Sequence, residues 1–343
     1  MTGLSDAELL GVTDWKTDEL VRIGPLTVRI VSDILEFPAL SYFSRRVRTA
    51  VTPPGSDVPL RSDEEIWCVS RAEPAFVAGP NSPVDQTARA RGFLSGYYVT
   101  DHFGPPVRIV TRGKRVFLFG QQLQNLVWPY FVKHLLLRHT VTTGGLFLKA
   151  GAIALGDDGT LIVGRGGAGK TVMLSELCRR GAEFVTNSHA IINGKFMKGV
   201  ASCLRMRPGP WVDRLPVHTE AALDPSEVVV DPLDAFPILA TGPITVRNLI
   251  VVDFRGPSEH LVQQLREDEV LGILEQFSLG LNVYRLEEDL LDGFAGDYRA
   301  FSQAYGEMKA QMLDLAGRCR SYYVVTDIQQ SANQDRLLEL LGR

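Results

Sequence analysis

The chain lacks an excess of basic residues. Its 343 residues include 36 lysines and arginines against 40 aspartates and glutamates, which gives a formal net charge of −4 at pH 7. A general nucleic-acid binder normally presents a basic face to the phosphate backbone. The charge balance therefore argues against nucleic acid as a partner.

Cysteine is scarce, and long apolar runs are missing. The four cysteines form no C-x-x-C pair, which is typical of a reduced compartment and not of a disulfide or zinc scaffold. No apolar run approaches the roughly 20 residues that a membrane helix needs. Residues 1–18 lack the basic start and apolar core of a signal peptide. We therefore expect a cytoplasmic protein with no membrane partner.

A glycine-rich segment carries the most specific signal. Residues 164–171 read G-R-G-G-A-G-K-T, between an apolar run at 160–163 and a helical pattern at 172–177. This arrangement matches the P-loop, G-x-x-x-x-G-K-[ST], in which main-chain N–H groups and a helix N-terminus converge on phosphate oxygens. Lys170 would reach the β- and γ-phosphates, and the Thr171 hydroxyl would coordinate Mg2+. The predicted nucleotide-binding residues of the loop are Gly164, Arg165, Gly166, Gly167, Ala168, Gly169, Lys170 and Thr171.

The same segment also contains the dinucleotide-binding pattern G-x-G-x-x-G, which starts at Gly164. That pattern expects an acidic residue at the end of the second strand, about 20 residues further on. The second predicted strand, 183–186, is followed by Asn187 and Ser188 instead. The P-loop interpretation is therefore favoured.

The chain is predicted to be α/β, with a smaller α+β domain of unknown role at 1–143 and a nucleotide-binding domain at 144–343. The break T-T-G-G at 142–145 marks the boundary. In the first half we predict strands at 26–31 and 65–69, a hairpin over 107–119, a helix over 123–139, and proline-containing loops at 51–59 and 74–83.

In the second half, a predicted hairpin leads directly into the P-loop strand, unlike the common P-loop folds that begin with that strand. Downstream, the apolar strand 247–253 ends on Asp253, as in a Walker B segment whose aspartate helps to hold Mg2+. The alternative is a buried strand whose terminal acid caps the next turn. The remaining predicted elements are helices at 261–277, 297–316 and 333–341 and a strand at 322–325.

The residues around the P-loop resemble a known kinase family. The segment 151–155, the P-loop and L-C-R-R-G-A-E-F-V-T-N at 177–187 are similar to the C-terminal domain of HPr serine kinase/phosphorylase, and more so to the broader HPr-kinase-like proteins. The similarity covers 145–200 well and the rest in outline. It implies a mixed sheet with flanking helices, binding of ATP and Mg2+, phosphoryl transfer to a hydroxyl, and assembly into homo-oligomers.

Two positions depart from the pattern of that family. Its members usually carry Leu-His-Ala in the strand before the P-loop, where this chain has Lys149 in place of the histidine. The strand after the P-loop helix usually ends in Asp-Asp or Asn-Asp, whereas here Asn187 and Ser188 follow it. The second acid is the expected general base for the acceptor hydroxyl, and an unperturbed serine hydroxyl does not titrate near neutral pH.

Nearby residues offer replacements, each with a plainer alternative. His189 has a pKa suited to a base, or it packs at the strand end. Lys149 adds positive charge near the phosphates, or it points to solvent. Arg205 and Arg207 have strand spacing, so both are expected on one face, where they clamp phosphate or an anionic substrate or form a solvated surface.

Three functions are compatible with these residues. The leading hypothesis is a kinase that uses ATP and Mg2+ to phosphorylate a hydroxyl of a small molecule, peptide or protein. The alternatives are a catalytically degenerate ATP-binding sensor or scaffold, and ATP-dependent carboxylate activation, which needs no aspartate to remove a hydroxyl proton. The predicted catalytic residues are Lys170, Asn187, Ser188 and His189, and the predicted metal ligands are Thr171 and Asp253.

Overall fold

The computed structural model shows a mixed α/β protein with two large mixed sheets, a helical segment between them and several flanking helices. This confirms the predicted α/β class, while the assignment to an HPr-kinase type of domain stays a prediction. The structure describes residues 11, 14–51, 61–70, 95–100, 104–112, 114–215, 227–240, 242–256, 260–278 and 297–342.

The first sheet contains seven described strands. They are β1 (Thr17–Ile23), β2 (Leu26–Ser32), β3 (Arg48–Ala50), β4 (Glu64–Val69), β5 (Ser95–Thr100), β6 (Gly104–Arg112) and β7 (Arg115–Phe119). Their order is β3-β1-β2-β4-β7-β6-β5, and β2, β4 and β7 run parallel to one another. The predicted strands in β2 and β4 and the predicted hairpin of β6 and β7 are confirmed. The predicted loops at 52–59 and 74–83 lie outside the described residues.

A helical segment follows the first sheet. It begins with a short turn at Gln124–Leu126, continues as a π-helix over Val127–Val132 and ends as α1 (Lys133–Thr142). Pro129 lies within the π-helix, where its missing N–H interrupts regular α-helical hydrogen bonding. Gly144 has a φ of 70° and terminates the segment in the left-handed conformation that favours glycine.

The second half of the chain supplies the second sheet and most helices. In chain order its elements are β8 (Leu146–Leu148), β9 (Gly151–Leu155), β10 (Asp158–Val163), α2 (Lys170–Arg179), β11 (Glu183–Thr186), β12 (Ala190–Asn193), β13 (Phe196–Gly199), β14 (Leu204–Met206), β15 (Val228–Val230), α3 (Pro232–Ala235), β16 (Ile244–Asp253), β17 (Leu261–Gln264), α4 (Glu267–Phe277), α5 (Tyr298–Arg318), β18 (Arg320–Val325) and α6 (Ser331–Gly342).

The P-loop strand lies in the middle of the second sheet. Strand β10 pairs in antiparallel fashion with β9 and in parallel fashion with β16, and β16 also pairs in parallel with β18. The predicted hairpin into the P-loop strand is thus confirmed. Strand β11 covers the other edge of β9, which brings the residues after β11 beside the start of α2. Strands β14 and β15 form a separate two-stranded ladder.

The prediction of one continuous helix over 261–277 was wrong in its first part. Residues Leu261–Gln264 form the exposed edge strand β17, which pairs with β18. The helix begins only at Glu267, where the main-chain N–H of Arg266 donates to Glu269 Oε2 at 2.9 Å. Three acids in the first turn favour a helix start at this position. Among the described residues, every helix is too short or too polar to cross a membrane.

One hydrophobic core connects the two sheets. Buried side chains of the first sheet, the helical segment and one face of the second sheet form a single cluster that includes Phe43, Trp128 and Phe147. A second cluster lies on the opposite face, beneath α2 and α6, and includes Met173 and Leu337. Each large apolar side chain buried in this way contributes about 1.5–3 kcal/mol. The two predicted domains therefore share packing.

Polar contacts extend this junction from Pro38–Val47 to the segment after β13. Phe43 forms a β-bridge with Ser202, and the N–H of Cys203 donates to Tyr42 O at 2.9 Å. Ser44 Oγ donates to Asp231 Oδ1 at 2.6 Å. The first half of the chain thus contacts the segment that leads into β14 and the residue that follows β15.

Candidate functional site

The glycine-rich loop turns sharply between β10 and α2. Gly164 has a φ of 156°, and a Cβ on this residue would lie 2.5 Å from the carbonyl oxygen of Val252 in β16. No side chain fits there, because the loop passes directly against the neighbouring strand. Gly169 precedes the first turn of α2 in the left-handed conformation, with a φ of 89°. The loop therefore directs the N-terminus of α2 toward the space above the sheet.

Lys170 folds back over the loop. Its Nζ donates to Gly164 O at 2.7 Å and to Arg165 O at 2.9 Å. Burial, and then the positive charge of Lys149, lower the pKa of Lys170 to about 8. The ammonium therefore still carries its charge at pH 7, in a partly dehydrated position where it interacts more strongly with an anion than it would in bulk water.

Thr171 and Asn187 meet beside the loop. Thr171 Oγ1 donates to Asn187 Oδ1 at 3.1 Å, and Asn187 is buried at the end of β11. Ser188, the next residue, is half-buried. Of the predicted catalytic residues, the structure thus brings Lys170, Asn187 and Ser188 to the same end of the sheet, because β11 returns next to β9.

His189 lies elsewhere, in the core shared by the two sheets. Its ring centroid is 5.1 Å from that of Trp128 and 5.6 Å from that of Phe147. Burial, followed by the charges of Lys133 and Lys149, lowers the pKa of His189 well below its ordinary value. This geometry agrees with the packing alternative, and the side chain is shielded from a bound acceptor.

Asp253, the predicted Walker B acid, is the last residue of β16. The neighbouring residues Val252 and Phe254 line the cavity next to the P-loop, and side chains alternate along a strand. Tyr323 Oη donates to Asp253 Oδ2 at 2.9 Å, and Arg255 Nε donates to the same oxygen at 3.1 Å. The hydrogen bonds from Tyr323 and Arg255, followed by the charges of Arg255 and of Arg165 in the loop, lower the pKa of Asp253. The carboxylate is thus paired with Tyr323 and Arg255, and its role as a metal ligand stays a prediction.

A cavity of about 470 Å3 opens beside the loop and α2. Loop residues 167–171 line one part of it, the P-loop end, and residues of β14, of the turn after β14 and of the segment after β18 line another part, the second end. Within the described ranges, no three His, Cys, Asp or Glu side chains come together as a metal site. The cavity has the size and the largely apolar walls of a small-molecule site.

The two predicted arginines both line this cavity, but they differ in their surroundings. Arg205 lies in β14, forms an ion pair with Glu227 and stacks on Tyr42, with 4.8 Å between its Cζ and the ring centroid. Strand β14 ends at Met206, so Arg207 lies beyond it and is exposed. Of the two arginines, only Arg205 therefore lies in a strand, and Arg207 is the more accessible cation.

Sequence reasoning missed several lining residues of the cavity, including Trp211, Glu227 and Gln329. They come from turns and strand ends without a motif, and only the fold brings them to the P-loop.

Sequence reasoning also missed Lys133, which is buried and whose Nζ lies 6.0 Å from the ring centroid of Trp128. Burial, and then Lys149 and Arg205, lower the pKa of Lys133 to about 7. A position within a helical pattern carries no signal for such an environment.

No protein-family model matches this chain, and no curated protein matches it in sequence.

Proposed function

We propose that this protein binds ATP and Mg2+ at the P-loop and transfers the terminal phosphoryl group to a hydroxyl of a small molecule, peptide or protein. The observation that carries the proposal is the position of Lys170 Nζ, 2.7 Å and 2.9 Å from two loop carbonyls, at the end of a 470 Å3 cavity. A charged lysine held within a glycine loop at a helix N-terminus is a combination suited to a polyphosphate.

The residues fit the expected metal as well. Mg2+ prefers oxygen ligands and usually takes one or two from the protein, together with phosphate oxygens. Thr171 Oγ1 and Asn187 Oδ1 lie 3.1 Å apart and supply two such oxygens, so they would hold the ion. When bound, Mg2+ would neutralise charge on the phosphates. Lys170 and the N–H groups of the loop would orient the same phosphates.

None of the three positions after β11, residues 187–189, offers a strong base for the acceptor proton. Ser188 replaces the acid, Asn187 is an amide, and His189 is enclosed by Trp128 and Phe147. Phosphoryl transfer depends mainly on positioning and charge stabilisation, so this arrangement supports slow transfer. The same observation favours a second candidate, an ATP-binding sensor that does not turn over.

The test is ATP binding and turnover by the full chain with γ-labelled ATP, Mg2+ and candidate acceptors. We expect Lys170→Ala to weaken ATP binding about a hundredfold, because the main phosphate cation is lost. Lys16→Ala, which removes an exposed lysine, is the control and should bind ATP like the wild type.

The products separate the candidates. ADP and a phosphorylated acceptor support the kinase, whereas tight binding without turnover supports the sensor. Acceptor-dependent release of AMP would indicate carboxylate activation instead. Unchanged ATP binding by Lys170→Ala would refute all three.

A further inference from the structure

We infer that the end of the cavity away from the P-loop is a nucleobase subsite, in which Trp211 stacks on the base and Gln329 donates a hydrogen bond to it. The inference rests on the proposed function and deepens it. It makes the phosphoryl donor a nucleoside triphosphate and not an inorganic polyphosphate.

The apolar walls of the cavity suit a flat aromatic ring. Met173 and Met206 are buried and line the cavity, and Ile328 and the indole of Trp211 line it as well. Bases bind to proteins by stacking on aromatic side chains, which every base permits because each has a π-face. Methionine side chains adapt to the edges of such a ring. A polyphosphate alone would leave these apolar walls without a partner.

Trp211 is held in one orientation. Its Nε1–H donates to Arg207 O at 3.0 Å, and the N–H of Val212 closes the turn by donating to Gly209 O at 2.9 Å. A Cβ on Gly209 would lie 2.5 Å from the Cζ2 atom of the indole. The ring therefore rests against the backbone of Gly209, and its position is set before any ligand arrives. Such preorganisation reduces the entropy lost on binding.

Gln329 supplies the polar contact. Its Nε2 is buried and has no hydrogen-bond partner among the described residues, and the residue itself belongs to the lining of the cavity. The N–H of Gln329 donates to Asp327 Oδ1 at 3.1 Å, which fixes the turn that carries the residue. A buried donor is normally paired, and a ring nitrogen or carbonyl oxygen of a base would accept from it.

The experiment compares ATP with tripolyphosphate, which has the phosphates without the nucleoside. Their dissociation constants are measured by calorimetry with Mg2+ on the full-length wild type and on Trp211→Ala, Trp211→Phe, Gly209→Ala and Gln329→Leu. Tyr298→Ala, which removes an exposed ring on α5, is the control. Far-UV circular dichroism and the melting temperature confirm that each variant is folded.

Trp211→Ala should weaken ATP binding about tenfold and leave tripolyphosphate binding unchanged, because the variant loses only the stacking contact with the base. Trp211→Phe should restore part of the loss. Gly209→Ala displaces the indole without deleting it and should weaken ATP binding by less than Trp211→Ala does. Gln329→Leu should also weaken ATP binding alone.

Equal affinity of the wild type for both ligands would overturn the inference, and so would an equal loss of both in Trp211→Ala. These outcomes leave the proposed P-loop function intact. If the wild type binds neither ligand, or if Lys170→Ala weakens neither, the proposed function fails and the subsite fails with it.

Discussion

The two ends of the cavity differ in how the chain builds them. The P-loop end consists of consecutive residues, and within it Lys170 bonds to the carbonyl of Gly164. The other end is assembled from β14 and its turn, from Glu227 and from residues 326–329. Its geometry depends on how distant segments pack, including contacts from the first half of the chain. Local sequence therefore determines the first end, and tertiary structure determines the second.

The largest effect is expected from a substitution in the P-loop. Gly164→Ala would place a methyl group 2.5 Å from the main-chain oxygen of Val252 at a φ of 156°, and neither strand can move without distorting the sheet. We expect ATP binding to fall more than a hundredfold and the free energy of unfolding to drop by about 2–4 kcal/mol. Isothermal calorimetry and urea unfolding measure the two effects.

Gly166→Ala is the matched control for this substitution. A Cβ at Gly166 would meet no atom within 4 Å among the described residues, so stability should change by less than about 0.5 kcal/mol. If Gly164→Ala binds ATP as the wild type does, the close approach of the loop to β16 has no functional weight.

The next effect concerns the contacts between the first half of the chain and the segment after β15. Asp231 is buried and accepts hydrogen bonds from Ser44 Oγ at 2.6 Å, from the N–H of Arg45 at 2.8 Å and from that of Leu233 at 2.9 Å. Asp231→Ala leaves these donors unpaired, which should lower the free energy of unfolding by about 2–3 kcal/mol in urea. The control, Asp234→Ala, removes only an ion pair with the half-exposed Arg45 and should cost about 0–1 kcal/mol.

The contribution of Asp231 should also depend on pH. Burial alone would raise its pKa, but the hydrogen bonds from Ser44 and from the main chain of Arg45 and Leu233 together lower it. Its folded-state pKa is therefore below its unfolded value near 3.9. The stabilisation is complete above the unfolded pKa and is lost as the pH falls through the folded pKa. The difference in stability between the wild type and Asp231→Ala should thus shrink below about pH 4, and a constant difference would contradict this assignment.

A smaller effect should follow from adding the missing acid. Ser188→Asp places a carboxylate next to Asn187, at the position where the resemblance expects the general base. We expect the rate of phosphoryl transfer or ATP hydrolysis to rise about tenfold, measured as ADP release at saturating ATP. Ser188→Asn has a similar size without the charge and should leave the rate unchanged. An equal rise in both variants would show that the acid is not acting as a base.

The smallest effect concerns the charge beside the loop. The pKa of Lys170 is lowered to about 8 by burial and then by Lys149, so affinity for ATP should decline as the pH rises through about 8 and the ammonium loses its proton. Lys149→Ala should move this midpoint upward by about half a unit, the size of one screened charge–charge interaction. Titrating ATP affinity between pH 6 and 10 measures the midpoint, and a downward shift would contradict the assignment.

The sequence predictions succeeded where consecutive residues determine the structure and failed where distant segments pack together. Periodic apolar patterns and the glycine motif correctly predicted the hairpin of β9 and β10, the loop and α2, because short-range spacing determines them. The sequence predicted that strand β16 ends in an acid. It did not show that Asp253 bonds to Tyr323 while Val252 and Phe254 line the cavity.

The two remaining misses have tertiary causes. Residues 261–264 became a strand because β18 offers an edge with which they pair, an interaction that no local pattern encodes. Trp211 and Gln329 reach the cavity only through the packing of β14 and β18 around α2. Neither position could be assigned to the site before the fold was known.

The bond from Ser44 to Asp231 and the bridge from Phe43 to Ser202 have a practical consequence for anyone who divides this protein. A chain beginning at residue 144 would retain every residue of the P-loop. It would lose the partners of the opposite wall, together with half of the shared core. Such a fragment would be a poor reporter of ligand selectivity, so experiments on specificity need the intact chain.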